Sequence, residues 1–208
     1  MPNRHTHLFT ANLVDLRPTQ MTVGMAEVQD KARLWLDMPK RTRQKFMQSH
    51  WFPAVLGPKR RYYIVDHHHL GRALIDQGVA QCQIVLLKDL SGLEPDEFWV
   101  VMDHHQWVHN YDAKGRRQPL TELPKKLDDL VDDPYRSLAA AVRRAGGFPK
   151  DATPFSEFLW ADFFRRRVPL KDLKGDLSAA VQAALPLCHC DAAAHLPGWS
   201  GDAQSLIA

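Results

Sequence analysis

Hydrophobic positions change their spacing near Gly24, where predicted strand gives way to predicted helix. Before this point, the run Leu13-Val14-Asp15-Leu16 predicts a short strand that ends at Arg17-Pro18. After it, apolar residues fall on one face of a helix, at Met25, Val28, Ala32, Trp35 and Leu36. Pro39 ends or kinks this helix, and a basic second helix is expected from Arg41 to about Ser49.

Two strand-like segments follow the helices. Phe52 to Leu56 is the first, and Arg61-Tyr62-Tyr63-Ile64-Val65, rich in aromatic and β-branched residues, is the second. The turn residues Gly57-Pro58-Lys59 lie between them and favour a hairpin. A helix is then predicted from Asp66 to Gly78, followed by a buried strand from Cys82 to Leu87 and a helix from Glu94 to Trp107.

Beyond Pro119 the strand signals are missing, which predicts a helical C-terminal region. Leu127, Leu130 and Val131 suggest one helix. Asp133-Pro134 is typical of an N-cap followed by proline at the first helical position, with Gly146-Gly147 ending that helix, and Thr153-Pro154 repeats the start signal. The predicted fold class is α/β (α+β), with a small mixed-sheet domain over residues 1–118 and a helical region over residues 119–208.

Composition adds few constraints. The 208 residues are 45% hydrophobic and 25% charged, as expected of a globular chain, and the formal charge of +3 is too small to indicate a nucleic-acid binder by itself. No apolar run suits a membrane span, and residues 1–7 lead into no secretory signal. Three cysteines, Cys82, Cys188 and Cys190, suit a reducing compartment. We therefore expect a cytoplasmic protein without a membrane partner, and no metal site at Cys188-His189-Cys190, which lacks a second ligand pair.

The segment Asp66-His67-His68-His69-Leu70-Gly71-Arg72 carries the strongest chemical signal. A predicted strand delivers an acid and three histidines to the first turn of a helix, where unpaired N–H groups and the helix dipole favour phosphate. His67, His68 and His69 can donate to phosphate oxygens, and Arg72 can add a charge-assisted contact. Asp66 is suited to orienting a histidine or Arg72, or to binding a metal ion.

A second histidine-rich stretch contains His104, His105 and His109. His105 and His109 share one helical face if the helix persists that far, and these histidines can then close the phosphate site from an opposite wall or bind a metal. Hydrogen bonding at a helix end is the alternative. Arg136 and Ser137, near another helix start, are also candidates for facing an anion.

The stretch YYIVDHHHLGRAL resembles the signature of the ParB/sulfiredoxin-fold superfamily, and more narrowly the ParB-like nuclease subfamily. The resemblance covers roughly residues 12–170. Further matching stretches are Leu16-Arg17-Pro18-Thr19-Gln20 with Val23-Gly24-Met25, Glu27-Val28 and Lys31; Trp107-Val108-His109-Asn110-Tyr111-Asp112; Asp132-Asp133-Pro134-Tyr135-Arg136-Ser137-Leu138-Ala139; and Pro154-Phe155-Ser156-Glu157-Phe158-Leu159-Trp160-Ala161-Asp162-Phe163-Phe164.

The resemblance implies binding of a nucleotide or a small phosphorylated ligand, with Mg²⁺ and ATP, ADP or CTP as expected cofactors and DNA as a further expected partner. Superfamily members include CTP-hydrolysing DNA clamps, sulfiredoxins, serine kinases and proteins described as nucleases, and the fold does not choose among them. This phosphate loop lacks the sulfiredoxin cysteine. Gln20 stands near the position where the serine kinases have a glutamate, and a glutamine cannot act as a general base. Glu27 in the next helix is the candidate substitute, and an exposed helix acid without a catalytic role is the alternative.

Three functions stay open. The first is phosphoryl transfer or NTP hydrolysis, with His67, His68, His69 and Arg72 holding phosphate and with Asp66, His68 and Glu27 as catalytic candidates. The second is a ParB-like nuclease that cleaves DNA or RNA phosphodiesters, with a metal held by Asp66 and His104 or His105. The third is a non-enzymatic nucleotide- or DNA-binding module. The oligomeric state does not follow from the sequence.

Overall fold

The computed structural model describes residues 8–201, so the expectation about residues 1–7 lies outside the described part of the chain. The chain divides into two compact units, which we call unit 1 (residues up to Val23 and Val28–Val131) and unit 2 (Gly24–Glu27 and the residues from Asp132 onward). The described residues form these elements in chain order: β1 (Leu8–Asn12), β2 (Arg17–Pro18), β3 (Thr22–Val23), α1 (Met25–Asp37), α2 (Lys40–Ser49), β4 (Phe52–Gly57), β5 (Arg61–Ile64), α3 (His68–Asp76), β6 (Gln81–Asp89), α4 (Pro95–His104), β7 (Val131–Asp132), α5 (Pro134–Arg144), α6 (Ser156–Arg165), α7 (Leu170–Gly175) and α8 (Leu177–Ala184).

Unit 1 contains a five-stranded sheet in the order β1-β6-β4-β5-β2. β4 and β5 form the predicted antiparallel hairpin, with Ala54 opposite Ile64, whereas β4 pairs in parallel with β6 and β2 pairs in parallel with β5. β4 is central and almost wholly buried, which explains why its sequence is apolar without alternation. The predicted α/β (α+β) class with a mixed sheet is confirmed. The domain boundary predicted after Gln118 stays a prediction.

An apolar cluster lies where α4 packs in unit 1. Its fully or nearly buried members are Val55, Leu90, Phe98, Met102, Val108 and Leu123. Gly57 is part of this packing, because a Cβ atom there would lie 2.7 Å from the rings of both Phe98 and Tyr63. The cluster therefore depends on a residue without a side chain at the end of β4.

The segment Leu13 to Leu16 was predicted as a strand, and this was wrong. Leu13–Asp15 is a 3₁₀ helix, and the strand of this region is β1, one element earlier. Leu13 and Leu16 are both fully buried while Val14 is 62% exposed. Burial at a spacing of three residues fits the 3₁₀ repeat and not the alternation of a strand.

The helix predicted across Leu127, Leu130 and Val131 was also wrong. Only Leu127–Asp129 is helical, as a single 3₁₀ turn, and Val131 belongs to β7, so strand structure does occur beyond Pro119. The guanidinium of Arg72 donates to the carbonyls of Asp128 and Leu130. Those carbonyls are thereby satisfied by a side chain rather than by the next turn of a helix.

The helix predicted to reach Trp107 ends at His104. Gln106 adopts a left-handed conformation (φ 54°), and the Trp107 N–H donates to the Met102 carbonyl at 2.9 Å, which closes the C-terminus in the manner of a Schellman motif. Glycine usually marks such an end, so a glutamine gave no stop signal in the sequence.

Unit 2 contains the helices α5 to α8 around one apolar core. Trp160 is fully buried and stacks on Phe148 with ring centroids 4.2 Å apart, while Phe163 and Phe164 pack beside it. Trp160, Phe163 and Phe164 of α6 therefore form part of the core of unit 2. The helix starts at Ser156 rather than at Thr153-Pro154, because Phe155 is in the left-handed region (φ 60°). No helix within residues 8–201 is long and apolar enough to cross a membrane.

Candidate functional site

The segment Asp66 to Arg72 lies in unit 1, where the chain leaves β5 and enters α3. His67 is the N-cap residue and adopts a left-handed conformation (φ 65°, ψ 23°), which is uncommon for a residue with a side chain. Its N–H donates to Asp66 Oδ1 at 2.6 Å, and its own side chain makes no cap hydrogen bond to the helix. Such a conformation is maintained only where its surroundings enforce it, and it recurs at ligand-binding turns.

His68 anchors this turn from the inside. It is only 4% exposed, and its Nε2 accepts a hydrogen bond from the Thr19 N–H at 3.1 Å. The Thr19 hydroxyl in turn donates to the Ile64 carbonyl at the end of β5. Because a backbone N–H only donates, Nε2 of His68 is the unprotonated nitrogen. The structure therefore gives His68 a positioning role, while its predicted catalytic role stays a prediction.

His67 and His69 flank this anchor and are both partly exposed. The His67 ring meets the Phe52 ring edge-on, with centroids 5.9 Å apart. Asp66 is exposed. Solvent therefore reaches the side chains of Asp66, His67 and His69 beside the first turn of α3, where a helix favours an anion. Arg72, one turn later, is 19% exposed.

Arg72 binds the protein itself. Its Nε donates to Asp76 at 3.0 Å, and its Nη1 donates to the carbonyls of Asp128 at 2.8 Å and Leu130 at 3.1 Å. Gly71 lies next to it in a close contact, since an added Cβ would be 2.9 Å from Leu127. These contacts fasten α3 to the segment 127–130. The predicted phosphate contact of Arg72 stays a prediction, and its observed partners are structural.

The second histidine stretch is not one helical face. α4 ends at His104, so the expected alignment of His105 with His109 was wrong. His105 stacks on Trp107, with ring centroids 4.3 Å apart, and its Nε2 lies 3.3 Å from Lys88 Nζ. His104 and His105 are exposed, and their role as a second wall of the phosphate site stays a prediction.

His109 is brought to the segment that holds His68. Its N–H donates to the Thr19 carbonyl at 2.8 Å, and it forms an isolated bridge with Gln20. Thr19 thus binds His68 through its N–H and His109 through its carbonyl. Gln20 is buried, and its amide donates to the Thr22 carbonyl, which is a structural contact. Sequence reasoning missed Thr19, because a threonine between Pro18 and Gln20 carries no catalytic signal of its own.

Glu27 belongs to unit 2, whereas Asp66 and His68 belong to unit 1. Its side chain is 12% exposed, with Oε1 3.9 Å from Arg144 Nη1. Among residues 8–201, no group of three or more His, Cys, Asp or Glu side chains is arranged to hold a metal ion. The predicted roles of Glu27 as a base and of Asp66 as a metal ligand stay predictions.

A basic cavity in unit 1 did not follow from the sequence as a site. It measures about 570 Å³ and includes Arg17, Arg60, Arg61, Lys125 and Lys126 in its wall. The cluster Lys59-Arg60-Arg61 is visible in the sequence, but its convergence with residues 125 and 126 requires the tertiary fold. Charge runs of this kind usually lie on solvated faces.

Comparison with known proteins identifies the family. The crystal structure of protein Atu1540 from Agrobacterium tumefaciens is similar to this chain at 43% sequence identity with a TM-score of 0.88, covering 94% of this chain and 98% of that one. No curated protein matches the sequence. The family model described as "Putative ParB-like nuclease" matches residues 9–166, most of the chain. The chain therefore belongs to the ParB-like family that this model describes.

Proposed function

We propose that this ParB-like protein binds a phosphate of a nucleic acid at the start of α3 and cleaves the phosphodiester there. The observation that carries the proposal is the inward anchoring of His68 by the Thr19 N–H, which fixes the turn and leaves its neighbours His67 and His69 partly exposed. The family match supports the choice of a phosphodiester as substrate.

The chemistry at this turn is electrostatic. The helix dipole of a nine-residue helix and its first N–H groups attract a phosphate oxygen, and two imidazoles add donors that strengthen as negative charge builds up in the transition state. Asp66 is an exposed carboxylate beside the same turn. It suits a Mg²⁺ ion that reaches the site with its phosphate ligand, because Mg²⁺ is commonly held by one or two carboxylates together with substrate phosphates.

A second candidate function is nucleotide-dependent phosphoryl transfer or hydrolysis of ATP, ADP or CTP. The same turn supports it, because a helix N-terminus flanked by histidines offers hydrogen-bond donors to the phosphate of a nucleotide as well as to a phosphodiester. A non-enzymatic nucleotide- or DNA-binding module is the outcome in which a ligand binds and no bond breaks.

Cleavage assays on the full chain test the proposal. Labelled single-stranded DNA, duplex DNA and RNA are incubated with Mg²⁺, and release of ATP, ADP or CTP hydrolysis products is followed in parallel. We expect His67→Ala/His69→Ala to lower the cleavage rate about 100-fold, the usual effect of removing donors to a developing oxyanion. His104→Ala/His105→Ala removes two histidines at the end of α4 and serves as the matched variant.

Four outcomes have distinct meanings. Loss of nucleic-acid cleavage in the His67→Ala/His69→Ala variant alone supports the proposal. Equal loss in both double variants would show in addition that His104 and His105 form a second wall of the phosphate site. Hydrolysis of nucleotides without cleavage of nucleic acid replaces the proposal by the second candidate. A folded wild-type chain that cleaves none of these substrates refutes it, and ligand binding without cleavage then leaves the binding module.

A further inference from the structure

The basic cavity of unit 1 is a concave site with a strong excess of positive charge. Its volume of about 570 Å³ lies within the range of sites for ligands of nucleotide size. Its wall consists of Thr10, Ala11, Asn12, Val14, Asp15, Arg17, Arg60, Arg61, Tyr62, Lys125 and Lys126. No residue of the segment 66–72 lines it, so this cavity is a site different from the start of α3.

Five cationic side chains face a single carboxylate in this wall. That carboxylate, Asp15, accepts a hydrogen bond from Asn12 Nδ2 at 2.9 Å. Asp89 lies outside the wall but within electrostatic reach of Arg60: two hydrogen bonds from Ser91 and the charge of Arg60 lower the pKa of its carboxyl group. Two acids do not balance five cations, and a concave wall with one sign of charge concentrates anionic ligands.

One cation of the wall, Arg17, is held by the backbone beside it. Arg17 Nη1 donates to the Lys125 carbonyl at 2.7 Å, which ties the strand β2 to the loop that carries the two lysines. Lys59 (φ 58°) and Arg60 (φ 53°) are consecutive left-handed residues with side chains. Each such residue is strained and is kept where the fold requires a defined direction of the chain. The turn between β4 and β5 therefore projects Arg60 at an energetic cost.

Tyr62 supplies an aromatic surface in the same wall, and it is only partly buried. An aromatic ring beside a row of cations is the arrangement that binds single-stranded nucleic acid, because the ring stacks on a base while the cations follow the phosphates.

We propose that this cavity binds a nucleotide, either free or as part of a single strand, with Arg60, Lys125 and Lys126 on the phosphates and Tyr62 on the base. The proposal goes beyond phosphate binding at the start of α3 and does not depend on it. The shared chemistry is one base with adjacent phosphates, and the two sources are distinguished by the length of the probe.

Binding of fluorescein-labelled oligo(dT) of twelve residues, followed by anisotropy at several salt concentrations without Mg²⁺, tests the proposal. ATP and CTP are titrated by calorimetry under the same conditions. Arg60→Ala/Lys126→Ala removes two cavity charges, and Lys171→Ala/Lys174→Ala removes two exposed charges of α7 in unit 2 as a matched control. Tyr62→Ala is compared with Tyr62→Phe, which keeps the ring.

We expect the cavity variant to bind oligo(dT) about 100-fold more weakly than wild type, since it loses two charged contacts and each contributes about a factor of ten. Its salt slope should fall by about 1.4, or 0.7 for each lost phosphate contact on a single strand. The α7 control should stay within about twofold, and Tyr62→Phe should retain the binding that Tyr62→Ala loses. Thermal unfolding verifies that every variant is folded.

The length of the probe that binds then shows whether the ligand is a free nucleotide or part of a single strand. Binding of ATP or CTP as tight as that of oligo(dT) supports a free nucleotide, and binding of oligo(dT) alone supports a strand. Equal affinities of the cavity variant and the α7 control for every probe would overturn the proposal. The two sites are separated by two sets of variants: His67→Ala/His69→Ala should lose cleavage but keep the part of oligo(dT) binding that depends on Tyr62, Arg60 and Lys126. Either proposal can then fail without the other.

Discussion

The first turns of α3 and α5 are completed by different groups. At α5, the carboxylate of Asp133 is 1% exposed, accepts the Tyr135 N–H at 3.0 Å and pairs with Arg165. At α3, the N-cap residue His67 adopts a left-handed conformation and its side chain does not cap the helix. The start of α5 receives its negative charge from Asp133, whereas the start of α3 has His67, His69 and the exposed acid Asp66 beside it.

A helix start beside cationic residues can therefore be purely structural, although the sequence signal is similar at both helices. Arg136 and Ser137 at the start of α5 were candidates for facing an anion. Arg136 is 6% exposed and pairs with Glu157, and the Ser137 hydroxyl accepts the Ala26 N–H at 3.2 Å. Their partners belong to unit 2 itself, so a helix start with cationic neighbours is not in itself a phosphate site. The start of α3 is the better candidate because solvent reaches His67 and His69 there, whereas Arg136 and Ser137 are buried against partners within the chain.

Removal of the α5 cap gives the largest expected effect. Asp133→Ala should lower the free energy of unfolding by about 3–5 kcal/mol, because Arg165 loses its buried partner and Tyr135 loses its acceptor. Urea unfolding measures this. Asp176→Ala is the matched control, since Asp176 caps α8 from an exposed position and its loss should cost about 1 kcal/mol. Similar small losses for both variants would contradict the structural role given to Asp133.

Removal of the α3 anchor should have a smaller effect on stability. His68→Ala leaves the Thr19 N–H buried without its acceptor, at a cost of about 1–3 kcal/mol. His69→Ala, one residue further and partly exposed, should cost less than about 0.5 kcal/mol. Thermal unfolding of the two variants compares these losses. If His69→Ala destabilises the chain as much as His68→Ala, the inward anchoring of His68 is not what fixes the turn.

Arg72→Ala tests whether the contacts of this side chain stabilise the fold. The variant loses hydrogen bonds to the Asp128 and Leu130 carbonyls, and we expect about 1.5–3 kcal/mol of destabilisation. Arg72→Lys keeps the charge but not the geometry and should recover only part of the loss. Full recovery of stability in the lysine variant would show that charge alone is required.

The smallest expected effect is a change in the modification rate of two buried thiols, one in the unit of each helix start. Burial raises the pKa of Cys82 in unit 1 to about 12, and burial with the neighbouring Cys190 raises that of Cys188 in unit 2 to about 12. A disulfide reagent at pH 8 should therefore modify both slowly in the folded chain. Asp133→Ala should speed modification of Cys188 and leave Cys82 protected, and His68→Ala should do the reverse.

The pH dependence has a defined sign. Both folded-state pKa values lie above the value of 9.0 for an unperturbed thiol, so the folded chain retains its thiol protons to higher pH than the unfolded chain. The stability linked to these thiols is complete below pH 9 and falls as the pH rises from 9 toward 12. A free energy of unfolding that stays constant across this window would contradict the burial of both thiols.

The sequence predicted the elements whose signals are local. The β4–β5 hairpin, α1, α2, α3, β6 and the capped start of α5 follow from apolar spacing and capping residues, and each is present. Two errors arose where a tertiary contact decided the local structure, at Leu13 to Leu16 and at Leu127 to Val131, and two arose where Gln106 and Phe155 adopt left-handed conformations without a glycine to signal them. The carbonyls of the latter segment are held by Arg72, a residue more than fifty positions away.

The candidate site was predicted as a segment but not as an arrangement. The order Asp66-His67-His68-His69 indicates phosphate chemistry, yet nothing in three adjacent histidines shows which one turns inward. That assignment depends on Thr19, which only the pairing of β2 with β5 brings beside the turn. The basic cavity likewise needs residues 125 and 126 next to Arg60 and Arg61, a proximity that the sequence does not contain.

Amide NMR of the ¹⁵N-labelled chain, titrated with a thymidine dinucleotide, tests most directly whether phosphate binds at the start of α3 and not at the start of α5. We predict saturable shifts of the backbone N–H signals of His68, His69 and Leu70 at the start of α3. Those of Tyr135, Arg136 and Ser137 at the start of α5 should stay unchanged. Binding that saturates while the α3 amides stay in place, or that shifts the α5 amides instead, would contradict the assignment of the phosphate site to α3.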